Sequence, residues 1–329
     1  MTKIISANPQ SIEQAAEILK NGGLVGMPTE TVYGLAADAR NGVAVARIFE
    51  AKGRPSFNPL ITHVNDVDAV LEIADMNAYA RSLADVFWPG ALTVILPRKA
   101  ESGLSDLVTA GLDTVAVRVP SHKCARALIK ACGFPLAAPS ANKSGSISPT
   151  APAHVAQSLG ASVDLILADG VSAVGLESTV VDCSGDVPVI LRPGGITVEQ
   201  ISEALGIDVA YDLGDAGGAI KSPGQLLKHY APSIPVRLNA IDLEEGEALL
   251  SFGGIKFMGV KTGVSAADLP ANQIRHLSKE GDLYEAAANL FAYLRDLDRP
   301  EFTGIAVMNI PDIGVGVAIN DRLKRAANA

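Results

Sequence analysis

Lys52 and Arg54 stand two residues apart in the run Lys52-Gly53-Arg54-Pro55-Ser56-Phe57-Asn58-Pro59-Leu60-Ile61-Thr62-His63. A compact ammonium beside a planar guanidinium fork suits phosphate oxygens. Pro55 and Pro59 bias Arg54 and Asn58 toward extended backbone, which is expected to stop a preceding helix and hold the polar side chains outward. Taken alone, the two cations fit equally a helix whose last turn complements its own dipole. They gain meaning from five other segments.

Pro28-Thr29-Glu30-Thr31-Val32-Tyr33-Gly34-Leu35 sets hydroxyls and a phenol at a strand exit, the place where open α/β sheets hold ligands. In Thr114-Val115-Ala116-Val117-Arg118-Val119, strand alternation puts Thr114, Ala116 and Arg118 on one face and three valines on the other. An arginine within so apolar a strand needs a partner, either an internal carboxylate or a ligand carboxylate. Ala138 to Thr150 packs Ser140, Asn142, Lys143, Gly145 and Ser148 into one loop that can offer N–H groups and hydroxyls to an anion. Leu176-Glu177-Ser178-Thr179 and Leu191-Arg192-Pro193-Gly194-Gly195 add a hydroxyl and an arginine. His63, at a strand end, reads as a positioning group. No GxxxxGK[ST], third-glycine dinucleotide fingerprint, HExxH, GxSxG or paired-cysteine pattern occurs, so a nucleotide site here must be built differently.

The elements that carry these residues alternate over the first 205 positions. Ser11 to Gln14 has capping-box spacing and is expected to open a helix with Ile12, Ala15, Ala16 and Leu19 inward. Leu24 to Met27 reads as a buried strand, and Asn41 as the cap of a helix running to Ala51. Strands are expected at 60–64, 91–96, 114–119, 135–138 and 164–168, and a hairpin at 178–183 and 187–192. This pattern predicts a twisted, open, mixed α/β sheet with helices, in a domain spanning 1–205. Residues 206–235 read as a linker, glycine- and proline-rich, with Lys228-His229-Tyr230-Ala231-Pro232 embedded in it. A smaller α/β unit fills 236–329, with strands at 236–239, 248–252 and 303–309 and helices at 282–296 and 317–327.

The 329 residues are 48 % apolar and 19 % charged, which calls for a sizeable core. Net charge is −9: residues 1–205 hold 15 Lys and Arg against 20 Asp and Glu, and 206–329 hold 12 against 16. Neither part is a basic platform, so weak or no direct tRNA or other nucleic-acid binding is expected. No apolar run approaches the roughly 18 residues of a membrane span, and no secretory h-region opens the chain. Three cysteines without a CxxC pair suit reduced thiols and a cytoplasmic protein.

Taken in order, PTETVYGL, KGRPSFNPLITH, FWPGALTVIL, TVAVRVP, PSANKSGSISPT, GLESTVVD, ILRPGG and SPGQLLKHYAP resemble the YrdC-like threonylcarbamoyl-adenylate synthases. The resemblance is to the long, two-domain, Sua-type form, whose smaller C-terminal domain is Rossmann-like. It implies an enzyme that joins L-threonine, bicarbonate and ATP into threonylcarbamoyl-AMP and pyrophosphate. The product serves modification of a tRNA adenosine beside the anticodon, through downstream threonylcarbamoyl-transfer proteins. By motif, Thr31, His63, Arg118, Ser178 and the Ala138 backbone would hold threonine. Arg54, Asn58, Thr114, Ser140, Ser148 and Arg192 would hold ATP, Lys52 would support the triphosphate, and Tyr230 would fold over the nucleotide. Mg2+ would ride mainly on the phosphates. Two alternatives stay open on sequence: an RNA-binding or regulatory module without turnover, and a carbamoyl transferase using another donor.

Overall fold

The computed structural model describes residues 2–213, 229–254 and 269–328. The chain forms two compact units. The first holds Met1–Ser144, Ser148–Ala173 and Glu177–Leu226, and the second Gly145–Ile147, Val174–Leu176 and Leu227–Ala329. Half of the expected linker 206–235, residues 214–228, lies outside the described residues.

The first unit contains strands β1 (Lys3–Ser6), β2 (Val25–Met27), β3 (Gly34–Asp38), β4 (Ile61–His63), β5 (Leu92–Pro97), β6 (Thr114–Arg118), β7 (Leu136–Ala137), β8 (Leu165–Ala168), β9 (Thr179–Asp182) and β10 (Val189–Arg192). Its helices are α1 (Pro9–Lys20), α2 (Gly42–Lys52), α3 (Val67–Ile73), α4 (Ala78–Phe87), α5 (Asp106–Thr109), α6 (Lys123–Cys132), α7 (Pro152–Leu159) and α8 (Val198–Leu205). Among the described residues the strands form one ten-stranded sheet, ordered β1-β8-β2-β3-β7-β4-β6-β5-β9-β10. Parallel and antiparallel pairs mix along it, and β9 and β10 close it as the expected hairpin.

One sheet face packs on α1 and α6 through Ala15, Leu19, Leu128, Met27 and Leu136. The opposite face buries Val94, Val115, Val117 and Val181 against Ile48, Leu83 and Ile201. Because Leu136 pairs with His63, and His63 with Arg118, the α1/α6 face continues across β4, β6, β5 and β9. There it carries only a small apolar floor of Ile61, Ile95, Ala116, Val180 and Leu191. His63, Arg118 and Thr114 rise from that floor.

Three local expectations are corrected. The first helix starts at Pro9, not at Ser11: Asn8 accepts from Ser11 N, and Ser11, at N3, returns the bond to Asn8 N. The box is real but read three residues late, because Pro9 is well suited to the first turn. Helix α2 ends on Gly53, left-handed at φ 59, before Pro55 can act. Gly34 and Leu35, read as part of a strand exit, instead open a strand of their own, Gly34–Asp38, paired with β2 and β7.

The second unit contains β11 (Val236–Arg237), β12 (Glu247–Ser251), β13 (Ile274–His276), β14 (Gly304–Val307), α9 (Leu283–Leu297) and α10 (Gly316–Ala327). Its sheet, ordered β11-β14-β12-β13, is parallel throughout the described pairs. That matches the α/β texture read from sequence, with β13 the strand that the sequence did not announce.

Candidate active site

Arg118 finds its partner inside the protein. Nη2 lies 2.5 Å from Glu30 Oε1, Nη1 donates to Thr31 Oγ1 at 2.8 Å, and Nε donates to the Gly90 carbonyl at 3.1 Å. Of the two possible partners, the internal carboxylate is therefore present. Burial pushes the Glu30 carboxyl up, but Arg118 and backbone donors outweigh it and hold Glu30 at about 2. Thr29 and Thr31 hydroxyls share a 2.9 Å hydrogen bond that fixes the Thr31 rotamer.

His63 sits across the β4–β6 ladder from Arg118 and is 3 % exposed, with Nδ1 buried and unpartnered among the described residues. Burial, joined by repulsion from Arg118, drives its imidazole down to about 3. A neutral buried histidine is a pH liability, because the unfolded chain takes up a proton below about 6.5 while the folded one does not until about 3. Stability is thus lost as pH falls through that window, by about 1.4 kcal/mol per unit. Urea unfolding at pH 7 and pH 5 should show the wild type losing about 2 kcal/mol more than a His63→Asn variant. Equal losses would mean that the imidazole titrates as it does in water.

On the adjoining strands, Ser178 and Thr93 hydroxyls meet at 2.7 Å, and Arg192 donates from Nε and Nη2 to Ser178 O and from Nη2 to Ser178 Oγ. Gly194 explains the tight turn beyond Arg192: a Cβ there would fall 2.3 Å from Thr179 N. Ala138 N donates to Ile61 O at 3.0 Å, placing its peptide beside the same floor. Thr114, half-buried, stands on the Arg118 face at the start of β6.

The second cluster surrounds the C-terminal end of α2. Lys52, 2 % exposed, donates from Nζ to Ser140 O and Asn142 O, both at 2.6 Å. Burial and then the Arg54 charge push this ammonium well below its usual range. Arg54 folds over its own turn, with Nη2 donating to Pro59 O at 3.1 Å and Nε making a longer contact with Asn58 O. Asn58 is fully buried, yet neither atom of its side-chain amide has a hydrogen-bond partner among the described residues. A buried, unsatisfied amide beside two cations marks a place for a polar ligand. Ser148 Oγ lies 2.5 Å from Glu177 Oε1, both buried, and Glu177 precedes Ser178, so the two clusters join.

Tyr230 belongs to the second unit, where its ring stacks on Phe291 at 5.5 Å and meets His229 edge-on at 4.0 Å. It is buried, with φ at 63, a left-handed backbone rarely taken by a side chain of this size. Three groups at the site were not singled out by role in the sequence: Glu30, Thr93 and Glu177. Glu30 and Glu177 lay inside quoted motifs, but their partners are 88 and 29 positions away, and nothing local announces such pairs.

Among the described residues, no group of three or more His, Cys, Asp or Glu is placed to hold a metal ion. No helix among them is long and apolar enough to cross a membrane. Cys124, Cys132 and Cys183 are free and buried.

Residues 17–194 match the Sua5–YciO–YrdC family model, described as "Telomere recombination". Residues 196–328 match the model described as "Threonylcarbamoyl-AMP synthase, C-terminal domain". A threonylcarbamoyl-AMP synthase of Bacillus subtilis is 43 % identical over 332 residues, covering 99 % of this chain and 96 % of the relative. One from Pyrococcus abyssi is 39 % identical over 341 residues, covering 99 % and 98 %. The crystal structure of P. abyssi Sua5 complexed with L-threonine superposes with a TM-score of 0.86 at 35 % identity, covering 99 % of this chain and 97 % of that one.

Proposed function

The chain belongs to the two-domain, Sua5-type threonylcarbamoyl-AMP synthases, and from that premise we propose how its residues divide the reaction. The enzyme forms threonylcarbamoyl-AMP and pyrophosphate from L-threonine, bicarbonate and ATP, for threonylcarbamoyl modification of tRNA. Its threonine end is Arg118, Thr31, His63, Ser178 and the Ala138 backbone. Its ATP end is Arg54, Asn58, Ser140, Ser148, Thr114 and Arg192, with Lys52 fastening the loop that carries Ser140. The observation that carries this division is the unpartnered, fully buried amide of Asn58 beside Arg54. A nucleotide would satisfy both amide atoms and so recover the desolvation already suffered.

No residue acts as a nucleophile. The threonine amine and bicarbonate give the carbamate with loss of water. A carbamate oxygen attacks the α-phosphorus, the P–O bond to pyrophosphate breaks in line, and the negative charge that builds on the leaving pyrophosphate is met by Arg54, Lys52 and Arg192. Arg118 fixes the amino-acid carboxylate so that the carbamate oxygen faces phosphorus. Bound Mg2+ would neutralise triphosphate charge, held mainly by the phosphates themselves, since among the described residues the protein oxygens offered to it come down to the buried Glu177 and Ser148 pair. Tyr230 and the linker 206–235 would shield the labile carbamate from water, the catalytic domain being 1–205 and the C-terminal domain 236–329. A cytoplasmic setting, and transient hand-over to downstream tRNA threonylcarbamoyl-transfer proteins, follow from the fate of the product.

Pyrophosphate release that requires threonine and bicarbonate together tests the reading. Arg54→Ala should raise the KM for ATP at least about tenfold, with threonine affinity kept by calorimetry. Threonine-independent release, or loss of threonine binding with ATP untouched, would reverse the assignment.

A further inference from the structure

Two short pieces of chain, Gly145–Ile147 and Val174–Leu176, cluster with the second unit although the residues flanking them belong to the first. Helix α9 meets both. The Arg295 guanidinium donates from Nη2 to the Ile147 carbonyl oxygen. Beside that bond Ala231 N donates to Gly145 O at 2.8 Å, and Ser146 and Ala231 form an isolated parallel bridge. On the other piece, Gly175 lies so near the helix that a Cβ would fall 2.4 Å from the Ala288 Cα and 2.6 Å from the Ala287 carbonyl oxygen. Its φ of 72 independently demands glycine.

Each held piece runs through one peptide bond into a site residue. Ile147 precedes Ser148, Leu176 precedes Glu177, and these two share the 2.5 Å hydrogen bond described above. The Arg295 Nε is buried without a hydrogen-bond partner among the described residues. An arginine serving only solubility would turn that N–H to water, so its place is held against a desolvation cost. Both contacts reach backbone or Cα positions, which set where a loop runs rather than merely filling space beside it.

We propose that α9 is a brace that sets the Ser148–Glu177 pair, with Arg295 as its positioning residue and the close approach at Gly175 as its second point of hold. The kinetic consequence rests on the ATP role given to Ser148, whereas the structural consequence does not. Arg295 touches no substrate; it acts through the Ile147 peptide.

The test uses the full chain. In Arg295→Ala, amide hydrogen exchange at 145–149 should quicken about tenfold, the size expected from losing one charge-assisted hydrogen bond. The KM for ATP should rise about tenfold, kcat should fall less, and threonine affinity should stay within about twofold. Gly175→Ala, which pushes the other piece off the helix, should reproduce the ATP defect with faster exchange at 174–178. Unchanged exchange at 145–149 in a folded Arg295→Ala protein would overturn the brace. Faster exchange with an unchanged KM would uphold the brace and remove Ser148 from the ATP site, and Ser148→Ala, with an equally unchanged KM, would agree.

Discussion

Replacing Arg118 by alanine should weaken threonine binding by about 2–4 kcal/mol, roughly thirtyfold to a thousandfold. A guanidinium carries five N–H donors. Gly90, Thr31 and Glu30 take one each, from Nε, Nη1 and Nη2. One N–H therefore remains on each terminal nitrogen for a further acceptor. Arg118 is thus both neutralised by Glu30 and still able to bind a second carboxylate. The single variant also strands Glu30, whose side chain is only 12 % exposed beside a 4 % exposed Arg118. Breaking such a pair from one side costs several kcal/mol of stability. The double variant Glu30→Gln, Arg118→Ala removes the stranded charge, so its melting temperature should recover while threonine binding stays lost. Calorimetry giving wild-type threonine affinity in either folded variant would sink the assignment.

The need for a partner at Arg118 was legible because alternation is a local rule: Val115, Val117 and Val119 face the core and Ala116 and Arg118 the other side. Glu30 as that partner was not legible, since no local rule joins residues 88 apart in sequence. Strand order was not legible for the same reason. β8 inserts between β1 and β2 although more than 130 residues separate it from either neighbour. The Asn41 cap was read correctly, because a side chain accepting from Val43 N and Ala44 N is a three-residue affair. The loop Ala138 to Thr150 was recognised as a polar exit, but not that Gly145–Ile147 within it clusters apart from its flanks. That division depends on Arg295 and Ala231, far along the chain. Lys52 was read as a phosphate group from its charge, whereas its carbonyl partners could be known only from the fold.

Those partners make Lys52→Met the second large expected effect. Methionine matches the length of lysine but donates nothing. Ser140 O and Asn142 O, each 2.6 Å from Nζ, would lose a charged donor in a site that is 2 % exposed. The same corner is otherwise tied by Ser144 N to Lys52 O at 2.7 Å and by Lys143 Nζ to Ala51 O at 2.8 Å, so the loop would loosen at its middle rather than detach. Two unsatisfied buried carbonyls suggest a stability loss of about 2–4 kcal/mol. The catalytic loss should be larger, because the proposed contact of Lys52 with a phosphate oxygen disappears as well. Together these predict a fall in kcat/KM for ATP of at least about a hundredfold. Lys52→Arg should not restore it, since a planar fork cannot converge on two carbonyls and a phosphate as a tetrahedral ammonium does. Threonine binding, which the proposed division gives to groups around Arg118, should survive in both variants. The measurements are urea unfolding, pyrophosphate release against ATP concentration, and threonine calorimetry on one preparation. A Lys52→Met protein with wild-type stability would show that the two carbonyls are satisfied without the ammonium. One that lost threonine binding along with ATP turnover would show that loop and strand clusters are a single site without separable ends.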